Sequence, residues 1–431
     1  MTVTFIGHGY VGLVTACVFA DFGNKIWVIG HSPEKIERLK KSDPIIYEPG
    51  LKELLEKNLK KGRLHFTLEY DKAIPESDIV FITVGTPPKN DGEADLSNVY
   101  EVAEKTSKNL KKGFTVVCCK STVPVGVNKK IETLISKLKP KDAEIAVASC
   151  PEFLREGSAV ADTFSPDRVV IGSDSKKAID LLLELHKPIS GNRVITSLAS
   201  AELVKYASNA ILATKISFAN LIAFFSEKTG ADVETVLEAV GLDKRIGRMF
   251  LYPGIGYGGS CLPKDVTALT HSGSSLGINV DFLAGVNKVN DLSKKNFLDK
   301  VLKNVKGKKI AIWGLSFKPD TDDIRFAPSL YILEELIGKG YELHVYDPAA
   351  MANIKKEFGD KIVYHTSSYE ALNGAFALCI LTEWNEFKEA DFEKIKKALK
   401  VPDVYDGRNI YDPEKMQKLG FRYFGVGRNL S

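Results

Sequence analysis

The strongest constraint on the fold is a glycine cluster that directly follows the first apolar segment. Gly7, Gly9 and Gly12 come after the strand-like run Thr2–Ile6 and open a helical pattern over 12–22. In a strand–turn–helix unit, the first glycine permits a tight turn, the second leaves room for a pyrophosphate, and the third lets helix and sheet pack closely. The helix N-terminus favours an anion. The pattern predicts a dinucleotide site formed by Gly7, Gly9, Tyr10, Val11 and Gly12.

Alternating strand and helix patterns continue through the chain in two series. Apolar segments typical of buried strands occur first at 25–29, 79–84, 115–119, 144–148, 169–172 and 193–196, and later at 309–313, 342–346, 376–381 and 403–405. Between the two series, residues 201–229 show helical periodicity and contain neither Gly nor Pro. This order predicts an α/β fold of two doubly wound Rossmann-like domains, joined by a long central helix and a helical dimerisation region. We expect domains at 1–197, 198–300 and 301–431.

The composition is that of an ordinary globular protein. The 431 residues are 44% hydrophobic and 26% charged, with a net charge of +4, so no nucleic-acid surface is expected. We expect no apolar run long enough to cross a bilayer, and the chain opens in a strand without a signal peptide. The six cysteines show no metal-ligand spacing. A cytoplasmic protein with reduced cysteines, no metal ion and no membrane contact is therefore expected.

A thiol follows a second glycine-rich segment late in the chain. Residues 256–259 precede Cys261, and Pro263 stands where a helix would begin. A helix that starts there would place its positive N-terminal end beside the thiol and favour the reactive thiolate. Asp265 would share one face of that helix with Cys261. The arrangement predicts a covalent catalyst.

The second strand lacks the acidic residue that commonly binds the adenosine ribose of NAD. Gly30 stands at that position, followed by His31 and Ser32, with Lys35 close behind. Loss of the carboxylate removes repulsion against a 2′-phosphate, and the basic side chains could bind one. We therefore place Gly30, His31 and Lys35 in the cofactor site and leave the choice between NAD and NADP open.

Further candidates lie at the ends of later strands and on the long helix. Thr86 and Thr122 each follow an apolar segment, where the carboxyl ends of strands form a ligand crevice. Each could hold the ribose, the nicotinamide or a water, or could instead form a turn ahead of its proline. Segments 150–157 and 202–209 offer carboxylates, a lysine and an asparagine. Taken singly, these two segments are equally typical of a solvated loop and a polar helix stripe.

Together these segments resemble the UDP-glucose/GDP-mannose dehydrogenase family over nearly the whole chain. The matching motifs are 7–12, 46–51, 83–87, 121–124, 151–157, 205–209, 254–265 and 314–325. The resemblance implies oxidation of the C6 alcohol of a nucleotide sugar to a carboxylate, with two equivalents of NAD. Segments 206–210 and 241–247 look most like family members that act on UDP-glucose.

The resemblance also implies a role for each residue near the thiol. Cys261 would capture the aldehyde as a thiohemiacetal, and a second oxidation would give a thioester that water hydrolyses. Lys205 and Asn209 would stabilise negative charge on oxygen. Asp265 would orient or deprotonate a water or the lysine, and Glu152 would be the base for hydrolysis. The expected catalytic residues are Cys261, Lys205, Asn209, Asp265, Glu152 and Thr122, the last of which would position water.

Two sets of binding residues follow from the same resemblance. Further cofactor contacts would be Thr86, Thr122, Glu156, Lys264 and Arg325. Further substrate contacts would be Glu152, Phe153, Leu154, Arg155, Glu156, Lys205, Asn209, Arg245, Phe250, Leu251, Tyr252, Pro253, Gly254, Gly258 and Lys318. Backbone amides of 250–254 would bind the diphosphate, and Arg245 would reach the substrate of the partner subunit in a homodimer. The alternative is a surface ion pair for Arg245 and Arg325, and exposure to solvent for Lys264.

Two departures from the family pattern leave the thiol untouched. Gly30 replaces the usual acidic residue, and Phe326 follows Arg325 where relatives commonly carry Glu. Three alternatives are a dehydrogenase of another nucleotide sugar (GDP-mannose or a UDP-N-acetylhexosamine), a two-electron dehydrogenase, and a non-catalytic nucleotide-sugar-binding protein. The complete set of catalytic residues disfavours the binding protein. Cys261 disfavours the two-electron enzyme, because a simple alcohol oxidation needs no nucleophile.

Overall fold

The computed structural model describes residues 1–428 and divides the chain into two compact units. The first unit is Met1–Ser208, and the second begins at Asn209. Each unit contains one sheet of mostly or wholly parallel strands with helices on both faces.

The sheet of the first unit has eight strands, named β1 (Thr2–Ile6), β2 (Lys25–Ile29), β3 (Leu64–Thr67), β4 (Ile79–Ile82), β5 (Gly113–Cys119), β6 (Ala143–Ser149), β7 (Arg168–Gly172) and β8 (Asn192–Thr196). Their order is β3-β2-β1-β4-β5-β6-β7-β8, and all neighbours are parallel except β6 and β7. The helices are α1 (Tyr10–Asp21), α2 (Pro33–Lys40), α3 (Leu51–Lys60), α4 (Tyr70–Ala73), α5 (Ser97–Lys108), α6 (Val127–Leu138), α7 (Ala159–Phe164) and α8 (Lys176–Leu185), with a 3₁₀ turn at Ile74–Glu76.

Both faces of this sheet are buried, which explains why its central strands read as continuous apolar runs. The sequence of β4 is Ile-Val-Phe-Ile, and every position is buried. Phe5, Phe19 and Phe81 pack together on one face. Val80 and Ile82 belong to a separate apolar layer on the other face. The alternation of the two layers along one strand fixes its register.

The second unit begins inside a 32-residue helix, α9 (Leu198–Thr229), which is followed by α10 (Val233–Gly241), α11 (Leu262–Ser275) and α12 (Asp281–Asn304). Its sheet consists of β9 (Lys309–Trp313), β10 (Glu342–Tyr346), β11 (Val363–Tyr364), β12 (Ala377–Ile380), β13 (Asp403–Asp406) and β14 (Arg422–Phe424). The order is β11-β10-β9-β12-β13-β14, parallel throughout. The remaining helices are α13 (Pro328–Gly338), α14 (Met351–Phe358), α15 (Ser368–Leu372), α16 (Asn385–Lys388), α17 (Phe392–Ala398) and α18 (Pro413–Lys418), with a 3₁₀ turn at Gly359–Lys361.

The first six strands of the first sheet and the six strands of the second have the same relative order, 3-2-1-4-5-6. This is the doubly wound Rossmann arrangement, in which the winding reverses beside the first strand. The predicted fold class, two Rossmann-like sheets with a long central helix, is confirmed. Three strands were absent from the sequence prediction: β3, β11 and β14. All three lie at sheet edges and are only two to four residues long, so they lack the long apolar run that marks a central strand.

The helix α9 corrects one expectation. By length and composition alone it is apolar enough to cross a membrane, the one such helix within residues 1–428. The sequence-based expectation that no apolar run has this length was therefore wrong. A core helix of a soluble protein meets the same criterion, and α9 buries Ala201, Tyr206, Ala213 and Ala223 within the protein. A single helix of this kind is weak evidence of a membrane span.

Glu202, near the start of α9, fastens this helix to the N-terminus of α6 within the first unit. The side chain is buried. Its carboxylate accepts hydrogen bonds from the Gly126 N–H (2.7 Å), the Asn128 N–H (2.8 Å) and the Asn128 side-chain amide (2.8 Å). The positive end of the α6 dipole adds to the attraction.

We expect Glu202→Ala to lower the free energy of unfolding by about 2–4 kcal/mol, because buried donors lose their acceptor. Urea unfolding followed by circular dichroism measures the loss. Glu104→Ala removes an exposed ion pair with Lys108 and should cost less than about 1 kcal/mol. Equal losses in the two variants would contradict the anchoring role of Glu202.

Candidate active site

The glycine turn between β1 and α1 has the geometry that a pyrophosphate requires. Gly7 has a φ of +119°, a conformation that residues with side chains rarely adopt. A Cβ atom on Gly12 would lie 2.1 Å from the Gly7 carbonyl oxygen, whereas one on Gly9 would meet nothing within 4 Å. Gly12 therefore serves the packing of α1, and the space beside Gly9 is open to a ligand at the helix N-terminus. The turn fits a dinucleotide.

Three threonines link the ends of neighbouring strands in the first unit. The Thr83 hydroxyl lies 2.9 Å from the Ile6 carbonyl oxygen and 3.2 Å from that of Gly7, and so braces the turn from the end of β4. The Thr86 hydroxyl donates to the Thr122 carbonyl oxygen at 2.9 Å. The structure thus brings together the two threonines that the sequence assigned to the ligand crevice.

Glu152 is held at the carboxyl edge of the sheet by a lysine that sequence analysis missed. Lys120, the first residue after β5, is buried, and its Nζ lies 2.9 Å from a Glu152 carboxylate oxygen. The same ammonium donates to the Cys150 carbonyl oxygen at 3.3 Å. Oε1 of Glu152 accepts hydrogen bonds from the N–H groups of Phe153 (2.8 Å) and Leu154 (3.1 Å). The available signal was a lysine at the end of a buried strand, where a cation needs an anionic partner.

These contacts determine the ionisation of Glu152. Burial by itself raises the pKa of this carboxyl group, but the charge and hydrogen bond of Lys120, the Phe153 N–H and the charge of Lys205 together outweigh burial and hold the pKa below its ordinary value. Burial likewise lowers the pKa of Lys120, but the charge and hydrogen bond of Glu152, together with the nearby thiols of Cys150 and Cys118, outweigh burial, so that the pKa is raised overall. Both groups are charged at neutral pH, and Glu152 is free of a proton.

Phe153 lies beside two cations of the first unit. The Arg168 guanidinium is 3.9 Å from the ring centroid, and the Lys205 Nζ is 5.4 Å away. Both are within range of a cation–π interaction. Lys205 is buried and projects from α9. The structure therefore brings Lys205 to the loop that carries Glu152.

Two carboxylates, Glu48 and Asp162, anchor the loop after Glu152. Glu48 is buried and accepts hydrogen bonds from the N–H groups of Gly157 and Ala159, each at 2.7 Å. The Arg155 guanidinium makes two hydrogen bonds to Asp162, at 2.9 and 2.7 Å, so this predicted substrate contact is engaged within its own loop. The other predicted residues of the loop are half-buried: Phe153, Leu154 and Glu156.

Cys261 is exposed, unlike the other five cysteines of the described chain, which are free and buried. It is the N-cap residue of α11, and Pro263 lies in the first turn. Its carbonyl oxygen accepts the Asp265 N–H at 2.9 Å, so the two residues lie one helical turn apart. The predicted helix start is confirmed. Cys261 therefore lies at the positive end of the helix dipole.

Asp265, in contrast, has only 1% of its surface exposed. One carboxylate oxygen accepts a hydrogen bond from the Asn209 amide and the other binds the Lys264 ammonium, each at 2.5 Å. Asn209 is also buried and lies on α9. Lys264 is largely buried rather than exposed to solvent, which removes the alternative kept for it. Asp265 therefore holds a fixed orientation behind the thiol and fixes that of Asn209.

The glycine-rich segment before the thiol packs against the loop that follows β9. A Cβ atom on Gly258 would lie 2.3 Å from the Phe326 carbonyl oxygen, and one on Gly259 would lie 2.7 Å from the Phe317 ring. The Gly259 N–H donates to the Arg325 carbonyl oxygen at 2.9 Å. Side chains at these two positions would push the two segments apart, so glycine fixes their close approach.

Part of the predicted substrate loop uses its amides inside the unit. The Leu251 N–H donates to the Arg248 carbonyl oxygen at 3.0 Å, and the Gly254 N–H donates to the Asn220 side chain at 2.8 Å. The expectation that amides of 250–254 bind a diphosphate finds no support at these two positions. Among the side chains of this loop, Tyr252 is exposed, Phe250 is half-buried and Pro253 is buried.

A second residue that sequence analysis missed is Arg408, which closely follows β13. Its guanidinium donates to the carbonyl oxygens of Leu381 (2.8 Å) and Gly256 (3.0 Å), and lies 3.3 Å from a Glu383 carboxylate oxygen. It ties the end of β12 to the segment that leads to the thiol. Nothing local in the sequence marks these partners, because they are more than 20 residues away.

Three predicted basic residues lie at or near the surface of the second unit. Arg245 pairs with Asp243, and Arg325 pairs with Asp323, each at 2.6 Å and two residues apart. The ion pairs kept as the alternative are therefore present, and the binding roles of both arginines stay predictions. The third residue, Lys318, is half-buried.

Comparison with known proteins agrees with this geometry. Three successive parts of the chain match the UDP-glucose/GDP-mannose dehydrogenase family: residues 1–190 its NAD binding domain, residues 199–292 its central domain, and residues 311–413 its UDP binding domain.

Individual relatives match over nearly their whole length. The UDP-glucose 6-dehydrogenase TuaD of Bacillus subtilis is 45% identical over 429 residues, which are 99% of this chain and 93% of the relative. The UDP-glucose 6-dehydrogenase of Pseudomonas aeruginosa is 43% identical over 444 residues, which cover 99% of this chain and 98% of the relative. A solved UDP-glucose dehydrogenase from the archaeon Pyrobaculum islandicum has a TM-score of 0.92 at 36% identity, covering 99% of this chain and 98% of that one. The chain therefore belongs to the UDP-glucose/GDP-mannose dehydrogenase family of NAD-dependent oxidoreductases.

Proposed function

We propose that this protein oxidises the C6 alcohol of UDP-glucose to the carboxylate of UDP-glucuronate, a four-electron reaction that reduces two NAD. The observation that carries the proposal is Cys261, an exposed thiol at the start of α11, one turn from the buried carboxylate of Asp265. Relatives named UDP-glucose 6-dehydrogenase, at 43–45% identity, support the choice of sugar.

Cys261 is the nucleophile in this reaction. Once the alcohol is an aldehyde, the sulfur adds to the aldehyde carbon and gives a thiohemiacetal. Its oxidation leaves a thioester, so the reactive aldehyde is never released. NAD, when bound, supplies the hydride acceptor for each oxidation. Cys261 stands at the N-terminus of α11, and the positive end of a helix dipole stabilises negative charge beside it.

Lys205 and Asn209 serve the oxygen on the reacting carbon. An ammonium and an amide donor stabilise the negative charge that develops there during addition to the carbonyl. Asp265 supports this function indirectly, because its 2.5 Å hydrogen bond holds the Asn209 amide in one orientation. A donor that is fixed beforehand costs no reorganisation during the reaction.

Hydrolysis of the thioester falls to Glu152. A general base must be unprotonated at the working pH, and Lys120 keeps Glu152 in that state. The carboxylate takes a proton from the water that attacks the thioester, and Thr122 positions this water. Sulfur then leaves as the thiolate, which restores Cys261.

The binding residues follow the sequence assignment. The glycine turn, with Gly9 open to a ligand, holds the NAD pyrophosphate. The three functional parts are the cofactor domain 1–197, the central domain 198–300, and the nucleotide-sugar domain 301–431. The match of 311–413 to the family's UDP binding domain supports the last of these.

A homodimer in the cytoplasm completes the proposal. Large apolar side chains are exposed along α9, among them Ile211, Phe218 and Phe225. Their seven-residue spacing places them on one helix face. A second copy of the chain would cover this face, and Arg245, with 88% of its side chain exposed, would reach the partner's substrate.

We expect wild-type protein to form two NADH per UDP-glucose, and Cys261→Ala to form no UDP-glucuronate, because no thioester can arise. Absorbance of reduced nicotinamide and chromatography of the sugar nucleotide measure both quantities. Cys379→Ala removes a buried thiol of the same unit and should retain the ratio of two. A ratio of one in wild type, or normal acid formation by Cys261→Ala, would reject the mechanism.

We expect Lys120→Met to move the acid limb of the kcat–pH profile to higher pH. Without the ammonium, burial dominates and raises the pKa of Glu152, so the base is protonated over a wider acidic range. At neutral pH kcat should fall by at least about tenfold. Lys120→Arg keeps the charge and should keep the wild-type limb.

Lys111→Met serves as the control, since it removes a more exposed ion pair with Asp78. An acid limb that stays in place in well-folded Lys120→Met protein would show that Lys120 does not govern the base.

A further inference from the structure

The end of β2 is closely packed at Gly30, where NAD-binding turns commonly carry an acidic residue. A Cβ atom on Gly30 would lie 2.6 Å from Ile36 Cδ1 and 3.0 Å from His8 Nδ1. Ile36 is 1% exposed and belongs to the core of the first unit, so a side chain at position 30 would require Ile36 to shift within a packed core. Glycine at this position fits the packing without such a shift and carries no carboxylate that would repel a 2′-phosphate.

Basic groups surround this position. His8 is 4% exposed, and its Nδ1 finds no hydrogen-bond partner among residues 1–428. Its ring centroid lies 4.8 Å from that of His31. Burial first, and then the positive charges of His31 and Lys35, lower the pKa of His8 to about 4. Positive charge on these neighbouring side chains is mutually unfavourable. An anion that binds among them would therefore stabilise the cluster by electrostatic attraction.

The start of α2 adds neutral donors to the cluster. Ser32 is the N-cap residue of this eight-residue helix, and its side chain makes no capping hydrogen bond. The helix N-terminus favours negative charge. His31 and Lys35 are exposed on the same segment. Glu34, also exposed, is the one acidic residue in the first turn, and its negative charge partly offsets the positive charge of this segment.

We propose that His8, Gly30, His31, Ser32 and Lys35 form a subsite for a phosphate monoester on the adenosine 2′-oxygen, so that the protein accepts NADP as well as NAD. The proposal rests on the dinucleotide site of the first unit and extends the proposed function. A 2′-phosphate carries close to two negative charges and three acceptor oxygens. The ammonium of Lys35, the imidazole N–H of His31 and the Ser32 hydroxyl supply matching donors.

Binding of two small probes tests the subsite without turnover. Adenosine 2′,5′-bisphosphate and adenosine 5′-monophosphate differ only in the 2′-phosphate, and isothermal titration calorimetry gives the Kd of each. We expect wild type to bind the bisphosphate at least about tenfold more tightly, the effect of one charge-assisted hydrogen bond. His31→Ala and Lys35→Ala should each reduce this ratio by several fold. Lys41→Ala, the same charge change at the other end of α2, should preserve it.

Equal affinity for the two probes in wild type, or an unchanged ratio in both well-folded variants, would overturn the proposal. Steady-state kinetics with UDP-glucose gives a second readout, in which the ratio of kcat/KM for NADP to that for NAD should fall in Lys35→Ala. Failure of the proposed function is distinguishable, because it appears as no NADH formation from UDP-glucose and NAD, whatever the probes do.

Discussion

Parallel strand pairing is the constraint on which the rest of each unit depends. In the order 3-2-1-4-5-6 all strands point the same way, so the residues that follow them collect at one edge of the sheet. The strands themselves are buried on both faces and stay apolar, and polar chemistry is confined to the residues just beyond their ends. In the first unit these residues are Gly7, Gly30, Thr83, Lys120 and Glu152.

The two units solve the same packing problem in the same way. Gly7 follows the first strand of one sheet with a φ of +119°, and Gly314 follows that of the other with a φ of +87°. A Cβ atom on Gly7 would lie 2.6 Å from the Thr83 carbonyl oxygen, and one on Gly314 would lie 2.5 Å from Thr382 Cβ. In each sheet the fourth strand lies beside the first, and a threonine just after the fourth strand packs against the glycine. Neither glycine position therefore has space for a side chain.

Sequence patterns predicted the features that local chemistry determines. The glycine turn, the central strands and the helix that begins after Cys261 depend on residues adjacent in the chain, and each was found where expected. Lys120 and Arg408 were missed because their partners are distant in sequence, and only the assembled strand ends show that one fixes Glu152 and the other the approach to the thiol. The lowered pKa of Glu152 was equally out of reach, because it depends on a balance between burial and a neighbouring cation.

The second strands of the two sheets are followed by different residues, Gly30 in the first unit and Asp347 in the second. This difference distinguishes the two glycine turns. In the second unit, buried Asp347 follows β10 and accepts the N–H groups of Leu315 (2.7 Å) and Ser316 (3.1 Å). The turn after β9 thus satisfies its amides with the protein's own carboxylate, at the position where a Rossmann turn would otherwise meet a pyrophosphate. In the first unit Gly30 offers no such anion. A Cβ atom on Gly9 in the first turn would meet nothing within 4 Å, so that turn keeps open space at the N-terminus of α1 where a dinucleotide pyrophosphate can bind.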